Sequence, residues 1–348
     1  MRSGAGAPTH FRLPCDTAGH MGDSETDPVA ANTEESTYEV TDWEPRTRVD
    51  AAAVRLHGLL RRGSGVVVVL LAFVLLVGQL GIIALAMYQS PTLGVATLLS
   101  IVPAVLLVGA IWYTDDTMRE PWTPLAATFL LAILFAAFAA VVNSATGPVV
   151  QGLVPVVGTA VFFFLVVAPV EETVKWLATR LYAYNTDSFD AVIDGAVYGA
   201  VAGLGFATIE NALYITQAAI EQGSLAGAEN VERALATATA RSFAGPGHVV
   251  WSAIAGYYLG LAKFVDEHAG PIVVKGLLVA ALAHATYNTI VTYVPRLGIE
   301  FGGLPFFAFV ILYDGAFGYY LYRKLSKYQD VYDGAVADGP TESATALD

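Results

Sequence analysis

From Val66 onward the chain alternates long apolar runs with short breaks rich in proline, glycine or charge. Eight runs approach the roughly 20 residues that a helix needs to cross a bilayer. They cover 66–88, 93–113, 123–142, 154–181, 191–219, 245–264, 271–292 and 303–323. The breaks carry Pro91, Pro121 with Pro124, Gly147-Pro148, Gly245-Pro246-Gly247, Gly270-Pro271 and Pro295. Hydrocarbon offers no water to a free amide, so each run must satisfy its own backbone and is predicted to be α-helical. The expected fold class is all-α, a polytopic transmembrane bundle.

Small residues mark where helices pack closely. Gly195, Gly199 and Gly203 recur every four residues in the fifth run, and Gly256 and Gly260 do so in the sixth. Such faces let two backbones approach. The pattern speaks for packing and carries no chemistry.

Composition supports the membrane reading: 55% of the 348 residues are hydrophobic and 14% charged, against about 25% charged in ordinary soluble domains. The net charge of −13 sits mostly in the tails. Residues 1–50 hold ten acidic and four basic side chains, and residues 328–348 hold five acidic and none basic. Three parts follow: a disordered acidic N-terminal tail over 1–60, a membrane domain over 61–327, and a disordered acidic C-terminal tail over 328–348. Cys15, the single cysteine, excludes intrachain disulfides and cysteine-rich metal sites. Arg46, Arg48, Arg55, Arg61 and Arg62 precede the first run, and Arg119, Arg180, Lys263 and Arg323/Lys324/Lys327 fall at alternate breaks. The positive-inside rule puts both termini in the cytoplasm of a multi-pass membrane protein. The expected partner at this point is the lipid bilayer, with no nucleic acid; the oligomeric state is not legible.

A charge at the bilayer centre costs about 2.5–3.5 kcal/mol on insertion scales, so the charges inside the runs carry the functional signal. They are Glu171, Glu172 and Lys175 in the fourth run, Glu210 in the fifth, His248 at the start of the sixth and His284 in the seventh; Asp194 and Asp314 are weaker cases nearer helix ends or packing. Glu171 and Lys175 share a helix face, whereas Glu172 points about 100° away. Two adjacent carboxylates with one cation require a partner on another helix, a shifted proton affinity or a metal. Phe206 and Glu210 share a face with Asn211 alongside, and His284 and Asn288 stand four apart. Pro246, just before His248, suits a first helical position. Helical rise spreads these groups over roughly 10 Å, from the midplane to the outer half.

The runs contain no Gly-x-Ser-x-Gly elbow and no His-Glu-x-x-His, and Asp194 with Asp314 makes a thin aspartate pair. A carboxylate and histidine site that activates water remains. Zinc held by Glu and His is compatible with the spacing but not required by it.

The segments Glu171–Lys175 (EETVK), Gly195–Tyr214 ending in Phe206…Glu210-Asn211, GPGH at His248 and HATYN at His284 resemble the motif set of the PrsW-type intramembrane proteases, relatives of the CAAX-prenyl endopeptidases. The resemblance covers about residues 60–325. It implies an intramembrane endopeptidase whose catalytic set is Glu171, Glu172, Glu210, His248, His284 and Asn288, with His284 and Asn288 binding the oxyanion. Prenyl endopeptidases usually have His where Glu210 stands. Zinc on Glu171, Glu210, His248 and His284 and a metal-free glutamate mechanism are both open, and the implied substrate is a single-span regulator such as an anti-sigma factor. Two other readings use the same residues: a proton-coupled transporter, which predicts inverted repeats with broken helices, and a non-catalytic scaffold glued by polar contacts.

Overall fold

The computed structural model describes residues 43–60, 66–113, 120–154, 156–220, 228–265 and 267–338. Cys15, Arg61, Arg62, Arg119 and, of the acidic tails, residues 1–42 and 339–348 lie outside the described residues. Among those described, every regular element is helical. The elements are α1 (Arg48–Leu60), α2 (Val66–Gln89), α3 (Pro91–Tyr113), α4 (Trp122–Leu153), α5 (Gly158–Phe162), α6 (Ala168–Leu181), α7 (Val192–Ile220), α8 (Ala228–Phe264), α9 (Ala269–Arg296) and α10 (Gly303–Asp338).

Five helices, α3, α4, α7, α9 and most of α10, are long and apolar enough to cross a membrane. Helix α2 is 24 residues long and apolar throughout. The two other expected crossings correspond to α8, which is long but more polar, and to a composite stretch. In that stretch a π-turn, Phe163–Val167, joins α5 to α6. The α3 residues Leu98, Leu99 and Leu106 and the α10 residues Leu304 and Leu312 are exposed, as expected of side chains whose solvent is lipid.

Helix α7 is the axis of the bundle, buried along most of its length between α3, α4 and α8. Its glycine face explains how tightly α8 lies against it. A Cβ added at Gly195, Gly199 or Gly203 would collide with the backbone of Gly256, Ser252 or His248, and one at Gly256 with Gly195. Only hydrogen fits between the two chains, as the four-residue spacing predicts.

Several boundaries differ from the sequence reading. Helix α4 runs past Gly147-Pro148 to Leu153. The Ser144 and Thr146 hydroxyls bond the carbonyls of Ala140 and Val142 just before the proline. Helix α8 begins at Ala228, so Pro246 is an interior residue and not the first residue of a helix. Contacts of Arg241 with α7 anchor the stretch before the proline, so tertiary packing outweighs the missing N–H. The supposed tails are also partly ordered: α1 occupies the end of the first, and α10 continues to Asp338 in the second. Asp50 caps α1 by accepting the Arg46 and Thr47 amides and pairs with Lys275 of α9 at 2.6 Å. Asp194 caps α7 in the same way, taking the amides of Asp190 and Ala191. Asp314 lies beside Gly247, thirteen residues along α8 from the Gly260 that meets the start of α7, or about 20 Å. The aspartate pair is therefore not assembled.

Candidate active site

The chemistry of the site begins in the π-turn before Glu171. Pro169 has no N–H for the carbonyl four residues earlier, which would leave an unpaired acceptor in a regular α-helix. The turn before it is a π-turn, in which the Ala168 amide reaches back five residues to the Phe163 carbonyl. Such single π-turns recur at functional sites because they rotate the face that follows. Here the face that follows carries Glu171, Glu172 and Lys175, all buried.

Glu172, whose side chain is 1% exposed, is the hub. Its Oε1 accepts the Lys175 ammonium at 2.6 Å and His284 Nδ1 at 2.8 Å. A carboxylate only accepts, so His284 carries its proton on Nδ1 and leaves the Nε2 lone pair free. That lone pair faces Glu171 Oε2 at 3.6 Å. Asn143 of α4 donates to Glu171 Oε1 at 2.8 Å, whereas Glu171 Oε2 is buried without a hydrogen-bond partner.

Histidine 248 has both ring nitrogens engaged. Lys175 lies 2.9 Å from Nδ1 and Glu210 Oε2 2.9 Å from Nε2. An ammonium only donates, so Nδ1 accepts and Nε2–H donates. Glu210 is also paired with Arg241 of α8, which bonds Asn211 and stacks over Tyr214. Phe206 covers the Lys175 ammonium at 4.6 Å and packs against the His248 ring. Trp251 stacks on His284 with ring centres 5.0 Å apart.

The roughly 10 Å spread expected from helical rise closes, because four helices that start at different depths bring their residues together. Glu171, Glu172, Glu210, His248 and His284 form one connected network. Asn288 does not join it. It is half-buried on α9, one turn beyond His284, and is not among the residues lining the cavity. Asn143, Arg241 and Trp251 join the site without having been singled out in the sequence. Arg241 and Trp251 stand seven residues before and three after His248, positions on the same helix face, so a pattern centred on that histidine points to both. Asn143 gave no signal because it falls just past the expected end of its run.

A cavity of about 530 Å³ leads to Glu171 between α2, α4 and α7. Its walls are mainly apolar, with Glu171, Phe206 and Glu210 along one part and Gln217 and Ile220 along another.

The donor set also bears on a metal. Glu171, His248 and His284 offer one ligand atom each, all within 4.8 Å of one another. One carboxylate and two imidazoles suit zinc, and His284 gives its other N–H to Glu172 as metal-binding histidines commonly do. The unpartnered Glu171 Oε2 and the free His284 Nε2 are ready donors; His248 joins them by releasing Lys175 or Glu210. These residues fit a zinc ion in kind and spacing.

A family model described as PrsW family intramembrane metalloprotease matches residues 120–315. Curated proteins named Protease PrsW are similar to the chain. The one from Geobacillus kaustophilus is 29% identical over 58% of this chain and 82% of its own length. Those from Bacillus subtilis and Halalkalibacterium halodurans are 34% and 33% identical, over 39% and 34% of this chain and 57% and 49% of theirs. No solved structure matches. With more than half of its length inside the family match, the chain belongs to the PrsW family of intramembrane metalloproteases.

Proposed function

We propose that this intramembrane protease cleaves a peptide bond in a membrane-anchored protein by means of water activated at Glu171. The observation that carries this reading is the division of labour between the two oxygens of Glu171. Oε1 is held by Asn143 and Oε2 is unpartnered beside His284 Nε2. A general base needs this: a fixed position and one free lone pair.

Glu171 Oε2 removes a proton from water as its oxygen adds to the scissile carbonyl carbon. The C–N bond then breaks, and the same proton goes to the leaving nitrogen. Glu172 holds His284 in one tautomer. Glu210 and Lys175 fix His248. His284, with Nε2 free beside Glu171 Oε2, carries a proton at the reacting carbonyl; His248 does so only on releasing Lys175 or Glu210, and either ring donates to the oxyanion once it is protonated at the freed nitrogen. A zinc ion bound by Glu171, His248 and His284 would supply Lewis-acid polarisation and a more acidic water, and Glu171 would then act as a ligand in place of its role as the base.

Eight crossings with both termini cytoplasmic follow from the Arg and Lys pattern, with α8 and the α5–α6 stretch counted as crossings. The substrate is a single-span membrane protein of the regulator type, such as an anti-sigma factor. Comparing membrane proteomes of cells carrying the intact chain or Glu171→Gln would identify a shortened partner, and the purified pair then tests the role. Loss of cleavage in Glu171→Gln is expected; cleavage at an unchanged rate rejects Glu171 as the base.

A further inference from the structure

The cavity beside Glu171 holds more hydrogen-bonding capacity than hydrolysis uses. Among its lining residues, Gln79 Oε1, Asn143 Oδ1 and Thr216 Oγ1 are buried and without a partner. The two carboxamides are alike in a telling way. Each has its nitrogen committed, Gln79 Nε2 to the Ala137 carbonyl at 3.0 Å and Asn143 Nδ2 to Glu171 Oε1 at 2.8 Å. Those bonds fix which end of each amide is oxygen and leave one acceptor apiece. Buried acceptors are nearly always paired in folded proteins, so a set of unpaired ones along a single cavity calls for an explanation.

The chemistry of the substrate provides it. A transmembrane helix has every N–H bonded internally and its peptide carbonyls shielded. To be cut it must unwind locally, and each N–H released in a low-dielectric cavity then needs an acceptor. We propose that Gln79 and Asn143 accept backbone N–H groups of an unwound, extended stretch of a transmembrane segment that enters the cavity between α2, α4 and α7. The proposal rests on the reading of Glu171 as the base. Asn143 touches Glu171, so the N–H it takes belongs beside the scissile bond. Gln79 is tied to Ala137, six residues earlier on α4 and about 9 Å along its axis. That is the reach of two to three residues of extended chain. Access is from the lipid side, where the lining residues Ile82 and Val141 are exposed and apolar.

Binding can be read without cleavage. The probes are two synthetic 25-residue apolar peptides with lysine ends, one built from Leu and Ala, the other carrying a central Gly-Pro pair that favours unwinding. Each is reconstituted with the Glu171→Gln protein in phosphatidylethanolamine/phosphatidylglycerol vesicles. A photoreactive benzoylphenylalanine replaces Ile82 or Val141 at the cavity, or Leu106 or Leu312 on outward faces as controls. We expect the Gly-Pro peptide to be captured about tenfold more than the Leu/Ala peptide at the cavity positions and equally at the controls, one hydrogen bond's worth of preference. Gln79→Leu and Asn143→Leu should each reduce that preference, and the double variant should remove it, while thermal unfolding of the Gln79→Leu protein is unchanged. Equal capture of both peptides, preference that survives the double variant, or capture of phospholipid alone would overturn the proposal. Since no bond is cut, a wrong assignment of the base would not produce any of these results.

Discussion

His284 gives its Nδ1 proton to Glu172 across 2.8 Å, and the same carboxylate oxygen takes the Lys175 ammonium at 2.6 Å. The second glutamate of the EETVK segment is thereby committed to orienting a ring, while the first keeps an oxygen free. Adjacent carboxylates on a helix diverge by about 100°, which lets one be tied into the protein while the other keeps an oxygen free for the reaction proposed above.

Glu172→Gln tests that division. The amide can still accept from His284 but lacks the charge that fixes the tautomer, and it leaves Lys175 without its anion. Outer-layer carboxylates of this kind change metal affinity or activity by about 10–100-fold when replaced. We expect kcat to fall within that range with KM nearly unchanged; if added zinc is bound by the purified protein, its retention, read by elemental mass spectrometry, should fall in parallel. A rise in KM with kcat unchanged would place Glu172 in substrate binding instead.

Arg241 and Glu210 form a largely buried pair across α7 and α8. Removing one partner of such a pair leaves an uncompensated charge and costs about 3–5 kcal/mol. Arg241→Gln should therefore lower the unfolding midpoint in detergent micelles sharply, and the double variant Glu210→Gln/Arg241→Gln should recover much of the loss. Equal instability of single and double variants would show that Arg241 acts through its packing on Tyr214 rather than through charge.

The glycine face makes a sharper prediction because it carries its own control. A Cβ at Gly199 would strike the Ser252 carbonyl, whereas one at Gly78 on α2 meets nothing within 4 Å. Gly199→Ala is expected to destabilise the protein by about 1–3 kcal/mol through forced separation of the helices. Gly78→Ala should be stabilising by about 0.5–1 kcal/mol, the ordinary gain of replacing glycine inside a helix. Chemical denaturation of the two variants side by side checks both signs.

Much of the site was legible as charge placed where charge is costly. Glu171, Glu172, Lys175, Glu210, His248 and His284 stand out within apolar runs, and lipid permits few such residues without a joint purpose. Helix ends were less legible, because proline was taken as a break. Pro148 and Pro246 both lie inside helices held by tertiary contacts, and Asn143 and Arg241 lie in the turns this added. Local sequence sets the intrinsic cost of proline, but the neighbouring helices decide whether that cost is met. Asn288 erred in the other direction. Spacing of four placed it on the same face as His284, but it stands half-buried one turn further along α9, and only His284 reaches the network.

Pro169 offers the most direct test of how the backbone serves the site. The π-turn over 163–167 leads directly into Ala168-Pro169, and its Phe163 carbonyl takes the amide five residues ahead, that of Ala168. Pro169→Ala restores an N–H at the position that a regular α-helix would use, so the preceding turn gains an alternative with ordinary bonding. If the turn reverts, α5 and α6 change their relative rotation by about 100°. Glu171 would then no longer present Oε2 beside His284 while Oε1 is held by Asn143. We expect an unfolding midpoint equal to or above that of the parent and a fall in kcat of at least about tenfold, the trade expected where function maintains local strain. Full activity with unchanged stability would mean that packing of the π-turn against α4 and α9 holds it without the proline, and would move the origin of the Glu171 geometry from Pro169 to those two helices.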